Sequence, residues 1–223
     1  MKVKFLFDKE KDAFNIWIII NSNESILKRG NLEFSFCKNE PFLKCKKDIF
    51  KINKKLYSSK IPFIFLESLN KSWSEIEEEF FLRMNLLFKE NLNEEFKGYL
   101  TTITTCSYNI EKNYFFVSLF YSLPKALLSV AHELMHFYFH KFYFSSCEKQ
   151  IGKENSFKLK EALTILLNIE FGDLFLIEDG GYLEHKELRD FIKENWKKEK
   201  NIGNIIKKCI TYFKGTNNIK TFN

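Results

Sequence analysis

Residues that interrupt regular structure are scarce in this chain of 223 residues. It contains only three prolines and eight glycines, and no segment concentrates them. This scarcity argues against a flexible linker, so we expect a compact protein in which an N-terminal α+β region, residues 1–98, packs on residues 99–223. Hydrophobic residues make up 45% of the chain, which is enough to bury a full core.

Long apolar runs and paired cysteines are also missing. The most apolar N-terminal stretch ends at residues 18–20, is too short to cross a membrane, and follows acidic residues that a secretory signal would not carry. The five cysteines are odd in number and lack the paired spacing of a metal site, which favours reduced thiols. We therefore predict a cytoplasmic protein with no membrane partner.

The excess of positive charge is modest and dispersed. The formal net charge is +6, from 35 lysines and arginines against 29 acidic residues. The basic residues are mostly lysines, are scattered along the chain and match no nucleic-acid-binding motif. Solvated faces are the favoured interpretation, and nucleic acid is not expected as a partner.

Histidine is scarce as well, yet three of the four histidines fall within nine positions. The segment His132-Glu133-Leu134-Met135-His136 places two imidazoles four residues apart, on one face of a helix. Neutral imidazole is a good zinc ligand, and Glu133 is placed to accept a proton from a water on the ion. A buried helix whose histidines only satisfy local hydrogen bonds is the alternative interpretation.

The flanking residues predict that this helix belongs in the protein interior. Ser122 can cap its N-terminus, and Pro124 suits its first turn. Apolar side chains then occupy nearly all of its circumference, so unpartnered imidazoles and a carboxylate would be costly there. A bound metal satisfies them directly. The apolar residues are Ala126, Leu127, Leu128, Val130, Ala131, Leu134 and Met135.

The motif at His132, Glu133 and His136 resembles the signature of the zincin metallopeptidases. In that superfamily the two histidines bind zinc and the glutamate is the general base, and the resemblance implies those roles here. It also implies a zincin-like α+β fold, with a mixed or antiparallel sheet packed on the buried metal-binding helix and further helices in both halves. The gluzincin branch supplies its third zinc ligand as a glutamate on a later helix, which Glu161 matches in position and residue type.

The residues around Glu161 are consistent with that role. It lies in an apolar helical segment, residues 157–169, where it shares one polar face with Thr164 and Asn168. An amphipathic helix that turns this face to solvent is the alternative. Where the thermolysin-like pattern has an acidic residue four positions after its glutamate ligand, this chain has Ile165. The carboxylate that supports a zinc-binding histidine is therefore missing or comes from elsewhere.

Other residues remain alternatives for the third ligand. His140 lies about 12 Å from His132 along the helix axis, too far for one ion to bind both, so it is expected near the site or at the surface. Glu148 and Glu154 lie in a polar connector before the second helix and are weaker substitutes. His185 is the other serious rival.

Amide hydrolysis also needs a group that stabilises the developing oxyanion. A glycine pair at residues 180–181 predicts a turn, and Tyr182 and His185 follow it before a helix at residues 184–196. A tyrosine hydroxyl or a histidine N–H commonly has this function, so both are candidates. A loop tyrosine packed on the core and a solvated histidine are the alternative.

Two β-branched and aromatic segments precede the metal-binding helix. Residues 99–108 and 114–120, joined by the polar residues 109–113, predict a β-hairpin. In zincins a strand just before the metal helix borders the cleft and can pair with an extended substrate, so residues 114–120 are the expected cleft edge. An ordinary core strand is the alternative. Nearer the N-terminus, residues 1–7 predict a strand and residues 72–88 an amphipathic helix.

These features predict a zinc-dependent metallopeptidase that acts on a peptide or protein substrate. Zn²⁺ is expected on His132, His136 and Glu161, with Glu133 as the general base. A second possibility is a regulatory protease with one protein substrate, similar to the ImmA/IrrE-like family only in the motif and the compact size. A third is a non-catalytic metal-binding protein.

Overall fold

The computed structural model describes residues 2–22 and 32–220. Their fold is α+β, as predicted, and the sheet is mixed. The strands are β1 (Lys2–Leu6), β2 (Glu95–Thr101), β3 (Tyr108–Asn109) and β4 (Tyr114–Ser118). The helices are α1 (Lys9–Ser22), α2 (Phe42–Ile52), α3 (Lys54–Tyr57), α4 (Ile61–Phe88), α5 (Leu123–Phe139), α6 (Ser145–Leu163), α7 (Ile165–Glu170), α8 (Lys186–Lys198) and α9 (Ile202–Lys220). Met1, the first residue of the predicted N-terminal strand, lies outside the described residues.

The strands are ordered β1-β2-β4-β3, with β1, β2 and β4 parallel and β3 antiparallel to β4. The predicted N-terminal strand is confirmed, and its alternation buries Val3 and Phe5 while Lys2 and Lys4 are exposed. A Cβ at Gly98 of β2 would lie 2.6 Å from the Phe5 ring. Glycine is therefore required where the two strands pack this closely.

The predicted hairpin is wrong in its pairing. Only the two residues of β3 pair antiparallel with β4, whereas residues 99–101 end β2, which runs parallel to β4. The side chains of Thr101 and Thr102 and the backbone N–H of Thr102 donate hydrogen bonds to Asp12 of α1, so the chain leaves the sheet there. β4 has strand partners on both sides, and an added substrate strand would have to compete with β3.

Helix α4 begins at Ile61, well before the predicted start at Ser72. The hydroxyl of Ser59 accepts a hydrogen bond from the backbone N–H of Ile61 at 3.3 Å. Ser74, a predicted cap, instead donates its hydroxyl to the carbonyl of Lys71 inside the helix. The predicted core face is buried at most of its positions, as the pattern indicated. These buried residues are Trp73, Phe80, Met84, Leu87 and Phe88.

The chain divides into two compact units. The first contains Met1–Glu77 and Glu94–Val130, and the second contains Glu78–Asn93 and Ala131–Asn223. The boundary predicted after residue 98 falls inside β2, which is hydrogen-bonded to a strand on each side. The first unit holds the sheet, and the second holds the His-Glu-x-x-His motif and α6 to α9.

Two predictions made from composition, on membrane-spanning helices and on cysteines, can be compared with the structure. Within residues 2–22 and 32–220, no helix is both long and apolar enough to cross a membrane. All five cysteines are free thiols, as predicted.

Candidate metal centre

The predicted metal-binding helix is regular and buried. Helix α5 begins directly after Ser122, whose hydroxyl accepts a hydrogen bond from the backbone N–H of Lys125 at 3.4 Å. His132 and His136 lie one turn apart, with their ring centroids separated by 4.4 Å. The side chain of His136 is 2% exposed and that of His132 is 20% exposed. Both imidazoles therefore lie on one face of the helix, largely shielded from water.

Glu161 of α6 joins the two histidines in a cluster of three potential ligands. One ligand atom of each residue lies within 4.8 Å of the other two. Nε2 of His132 is 3.4 Å from Oε2 of Glu161, and Nε2 of His136 is 3.4 Å from Oε1. Two ligand atoms at about 2.1 Å from a zinc ion and at a tetrahedral angle are also about 3.4 Å apart. Each histidine nitrogen therefore lies at ligand-to-ligand spacing from one oxygen of the carboxylate.

The polar atoms of this cluster fit a bound cation. Oε2 of Glu161 is buried, and no hydrogen-bond partner for it lies within residues 2–22 and 32–220. A buried carboxylate oxygen without a partner is costly, and a divalent cation removes that cost. Two imidazoles and one carboxylate are also a donor set of catalytic zinc sites, which keep a fourth position for water. The residues present therefore fit Zn²⁺.

The alternative third ligands lie elsewhere in the second unit. His140 belongs to a single π-helical turn, and its ring stacks on that of Phe144 with the centroids 4.3 Å apart. Glu148 and Glu154 are both exposed. Among the described residues, the cluster of potential metal ligands includes neither of these glutamates, nor His140, nor His185.

The helix predicted for residues 157–169 is interrupted at Thr164, which separates α6 from α7. The Thr164 hydroxyl donates to the carbonyl of Glu161 at 2.8 Å, and such a bond competes with the backbone bonds of a helix. The predicted polar connector before Glu161 is also different, because α6 already begins at Ser145. A kink at Gly152, with φ of 77°, accommodates this longer helix.

A carboxylate that holds the first histidine of the motif comes from Asp179, which the sequence-based prediction missed. Nδ1 of His132 donates a hydrogen bond to Oδ2 of Asp179 at 2.6 Å, which leaves Nε2 available to a metal ion. Asn168 holds Asp179 through two bonds, donating from Nδ2 to its carbonyl at 3.0 Å and accepting from its N–H at 2.7 Å. The apolar residue at Ile165 was the signal that this carboxylate had to come from another segment.

Arg189 of α8 also holds Asp179 in place. Nη2 donates to its carbonyl at 2.5 Å, and Nη1 donates to the Thr164 hydroxyl at 2.8 Å. Gly181, with φ of 61°, donates its N–H to Asp179 Oδ1 at 2.8 Å. A Cβ at Gly181 would lie 2.6 Å from the guanidinium, so only glycine fits. Asn168 therefore supports Asp179 directly and Thr164 supports it through Arg189, which explains the polar face that they share with Glu161.

Glu133 is buried beside the two histidines. It is 7% exposed, and its Oε2 has no hydrogen-bond partner in the described parts of the chain. Burial raises the pKa of Glu133 to about 7, although the charge of His132 opposes this shift. A carboxylate that titrates near neutral pH is suited to accept a proton and return it, which is the task of a general base.

The two histidines differ in their electrostatic surroundings. Burial lowers the pKa of His132, but the hydrogen bond to Asp179 and the nearby carboxylate of Glu161 outweigh it and raise that pKa to about 10. Burial holds the pKa of His136 well below its ordinary value. For Glu161, burial favours the neutral acid, but the two histidines and Lys160 keep its pKa below the usual range. A cation bound here would replace the Nε2 proton of His132 and would leave the Glu161 carboxylate ionised.

The two predicted oxyanion-stabilising residues lie together, just after the turn that holds Asp179. The rings of Tyr182 and His185 have centroids 5.8 Å apart. Tyr182 is 46% exposed, whereas His185 is 8% exposed at the start of α8. Neither belongs to the ligand cluster in the described residues, and their part in stabilising an oxyanion stays a prediction.

Comparison with models of known protein families, with curated proteins and with solved structures finds no match to this chain.

Proposed function

We propose that this protein is a zinc-dependent metallopeptidase of the zincin type, with a gluzincin-like ligand set. The observation that carries the proposal is the convergence of His132, His136 and Glu161 within 4.8 Å beside the buried carboxylate of Glu133. The order of elements supports the branch, because the motif helix is followed along the chain by the helix that provides the glutamate. When bound, zinc polarises the substrate carbonyl and makes a water more acidic.

The chain's own residues then have distinct tasks. Asp179 orients the His132 ring through Nδ1, so that Nε2 points toward the ligand position. Glu133 accepts a proton at its unpartnered carboxylate oxygen as water attacks the peptide carbonyl, and returns that proton to the leaving amine. Tyr182 and His185 remain the candidates for stabilising the oxyanion.

A purely structural zinc site is less well supported. Structural sites are closed by four protein ligands, whereas the cluster in the described residues has three. A peptide or a protein segment is the proposed substrate. We also propose a cytoplasmic location, because all five cysteines are free thiols.

Metal analysis and one variant test the proposal. Protein purified without a histidine tag should carry one zinc ion per chain and cleave unstructured peptides in a mixed library analysed by mass spectrometry. Glu133→Gln should keep the zinc but lower kcat/KM by about 10²- to 10⁴-fold. Glu154→Gln is the matched control, because Glu154 is an exposed glutamate of α6, and it should retain full activity.

The outcomes separate the parts of the proposal. No stoichiometric metal in the wild-type protein would remove the metallopeptidase altogether. Full activity of Glu133→Gln would remove the general base while leaving the metal centre. Cleavage of a single protein substrate, with no cleavage of library peptides, would instead identify the ImmA/IrrE-like regulatory alternative.

A further inference from the structure

Lys160 is a buried lysine next to the candidate metal centre. Its side chain is only 3% exposed, and its Nζ lies 2.8 Å from Oε1 of Glu161. Adjacent residues of a helix normally point in different directions, so this contact is not a consequence of helical spacing. Lys158 of the same helix shows the ordinary arrangement, with a side chain 43% exposed and paired with Glu154 one turn away.

The burial of Lys160 has an energetic cost that its anionic neighbour offsets. An ammonium group removed from water is destabilising unless it is paired and hydrogen-bonded. Glu161 is such a partner, and it is also one of the three potential metal ligands. The lysine therefore contacts the centre through a ligand and not through the ion.

The two oxygens of Glu161 consequently differ. Oε1 accepts the contact from Lys160, whereas Oε2 is buried and has no hydrogen-bond partner in residues 2–22 and 32–220. A carboxylate can bind a metal through one oxygen or through both. Each oxygen lies 3.4 Å from one histidine nitrogen, Oε1 from Nε2 of His136 and Oε2 from Nε2 of His132, but only Oε1 also contacts a cation. That cation opposes the use of Oε1 as a ligand and leaves Oε2.

We propose that Lys160 is a positioning residue that makes Glu161 a one-oxygen ligand. By holding Oε1, it keeps the metal four-coordinate, with two imidazoles, one carboxylate oxygen and one position for water. Without Lys160 the carboxylate is free to bind through both oxygens, which fills the position that the reaction uses. This inference rests on the proposed metal centre, and it adds a residue that the zincin resemblance does not supply.

Cobalt substitution tests the inference without relying on activity. Co²⁺ in a four-coordinate site absorbs visible light more strongly than Co²⁺ with additional ligands, so its spectrum reports the coordination number. The wild-type protein loaded with Co²⁺ should give the strong four-coordinate spectrum. Lys160→Met should lower the absorption several-fold, and Lys160→Arg, which keeps a cationic donor, should restore it. Lys158→Met is the matched control and should give the wild-type spectrum.

Each outcome supports or overturns the inference. A weak spectrum in the wild-type protein overturns it without any variant, so a misfolded Lys160→Met protein does not block the test. An unchanged spectrum in a folded Lys160→Met protein also overturns it, while metal binding and hydrolysis by the wild-type protein would leave the proposed function intact. If the wild-type protein binds no Co²⁺ or Zn²⁺, both proposals fail together.

Discussion

Each of the two units buries a carboxylate, but the two carboxylates differ in how completely they are hydrogen-bonded. Asp12 in the first unit is fully buried and accepts four hydrogen bonds between 2.7 and 2.8 Å, from the hydroxyls of Tyr57, Thr101 and Thr102 and the backbone N–H of Thr102. Glu133 in the second unit is 7% exposed and has a buried oxygen with no partner in the described residues. Burial raises the pKa of both groups, because a low-dielectric surrounding disfavours the charged form.

The difference separates a structural carboxylate from a reactive one. Nearly all buried polar groups in folded proteins are hydrogen-bonded, so a group such as Asp12 stabilises the fold by linking α1, β2 and α3. A buried oxygen that lacks partners needs another explanation, and a ligand or a reaction supplies one. Glu161 gives the same indication, since its Oε2 is also buried without a hydrogen bond.

The sharpest test of the comparison is to neutralise one carboxylate of each kind. Asp12→Asn should lower the free energy of unfolding by about 2 to 3 kcal/mol, because the two donors that face the new amide nitrogen lose their acceptor. Glu133→Gln should change it by less than about 1 kcal/mol, because no hydrogen bond to its Oε2 is lost. Urea unfolding of the metal-free proteins at pH 7 measures both values. Equal losses for the two variants would abolish the distinction.

A second test examines the carboxylate that supports the metal ligand. Asp179→Asn should weaken zinc binding by about 10- to 100-fold, because the amide is a poorer acceptor for His132 Nδ1. Competition with a chromophoric chelator measures the affinity. Asp173→Asn is the matched control, because Asp173 is an exposed aspartate paired with Arg83, and it should bind zinc as the wild type does. Unchanged affinity in Asp179→Asn would reduce Asp179 to a structural residue.

A smaller effect than those of Asp12→Asn and Asp179→Asn is expected at Glu170, a carboxylate that is partly solvated and paired. Oε1 of Glu170 accepts hydrogen bonds from Trp196 Nε1 at 2.7 Å and Lys200 Nζ at 2.8 Å. Burial opposes ionisation, but these partners keep the pKa of Glu170 below its ordinary value of 4.5. Glu170→Gln should therefore cost about 1 kcal/mol at neutral pH.

The pH dependence of this variant gives an independent check. Because the pKa of Glu170 is lower in the folded state than in the unfolded state, its stabilisation is complete above the ordinary carboxyl range and is lost as the pH falls through the lowered value. The difference between wild type and Glu170→Gln should shrink accordingly in urea titrations at decreasing pH. A difference that stays constant with pH would show that lost packing, not charge, causes it.

Much of the local structure could be predicted because local patterns decide it. The cap at Ser122 and the apolar circumference of α5 indicated an interior helix, and alternation indicated β1. The hairpin failed because the partners of residues 99–102 are distant in sequence: β2 pairs with β1, and Thr101 and Thr102 bind Asp12. Periodicity indicates which face of a segment is buried, but it does not indicate which other segment packs against that face.

The candidate site also combines contacts that local sequence predicts with contacts between distant segments that it does not predict. His132 and His136 are four residues apart, and helical geometry alone places them on one face. Asp179 and Arg189 approach the centre from a loop and a later helix, with 47 residues separating Asp179 from His132. No local pattern specifies such a contact. A buried lysine is equally hard to anticipate at Lys160, since lysine in a helix is ordinarily exposed.

The sequence by itself determined which groups of the motif meet, because the two imidazoles and the neighbouring carboxylate are fixed by residue type and helical period. Only the tertiary structure decided how those groups are held. Asp179 on Nδ1 of His132 and Lys160 on Oε1 of Glu161 are set by burial and packing. Those contacts occupy Nδ1 of His132 and Oε1 of Glu161, and the remaining atoms, Nε2 of His132 and Oε2 of Glu161, lie 3.4 Å apart.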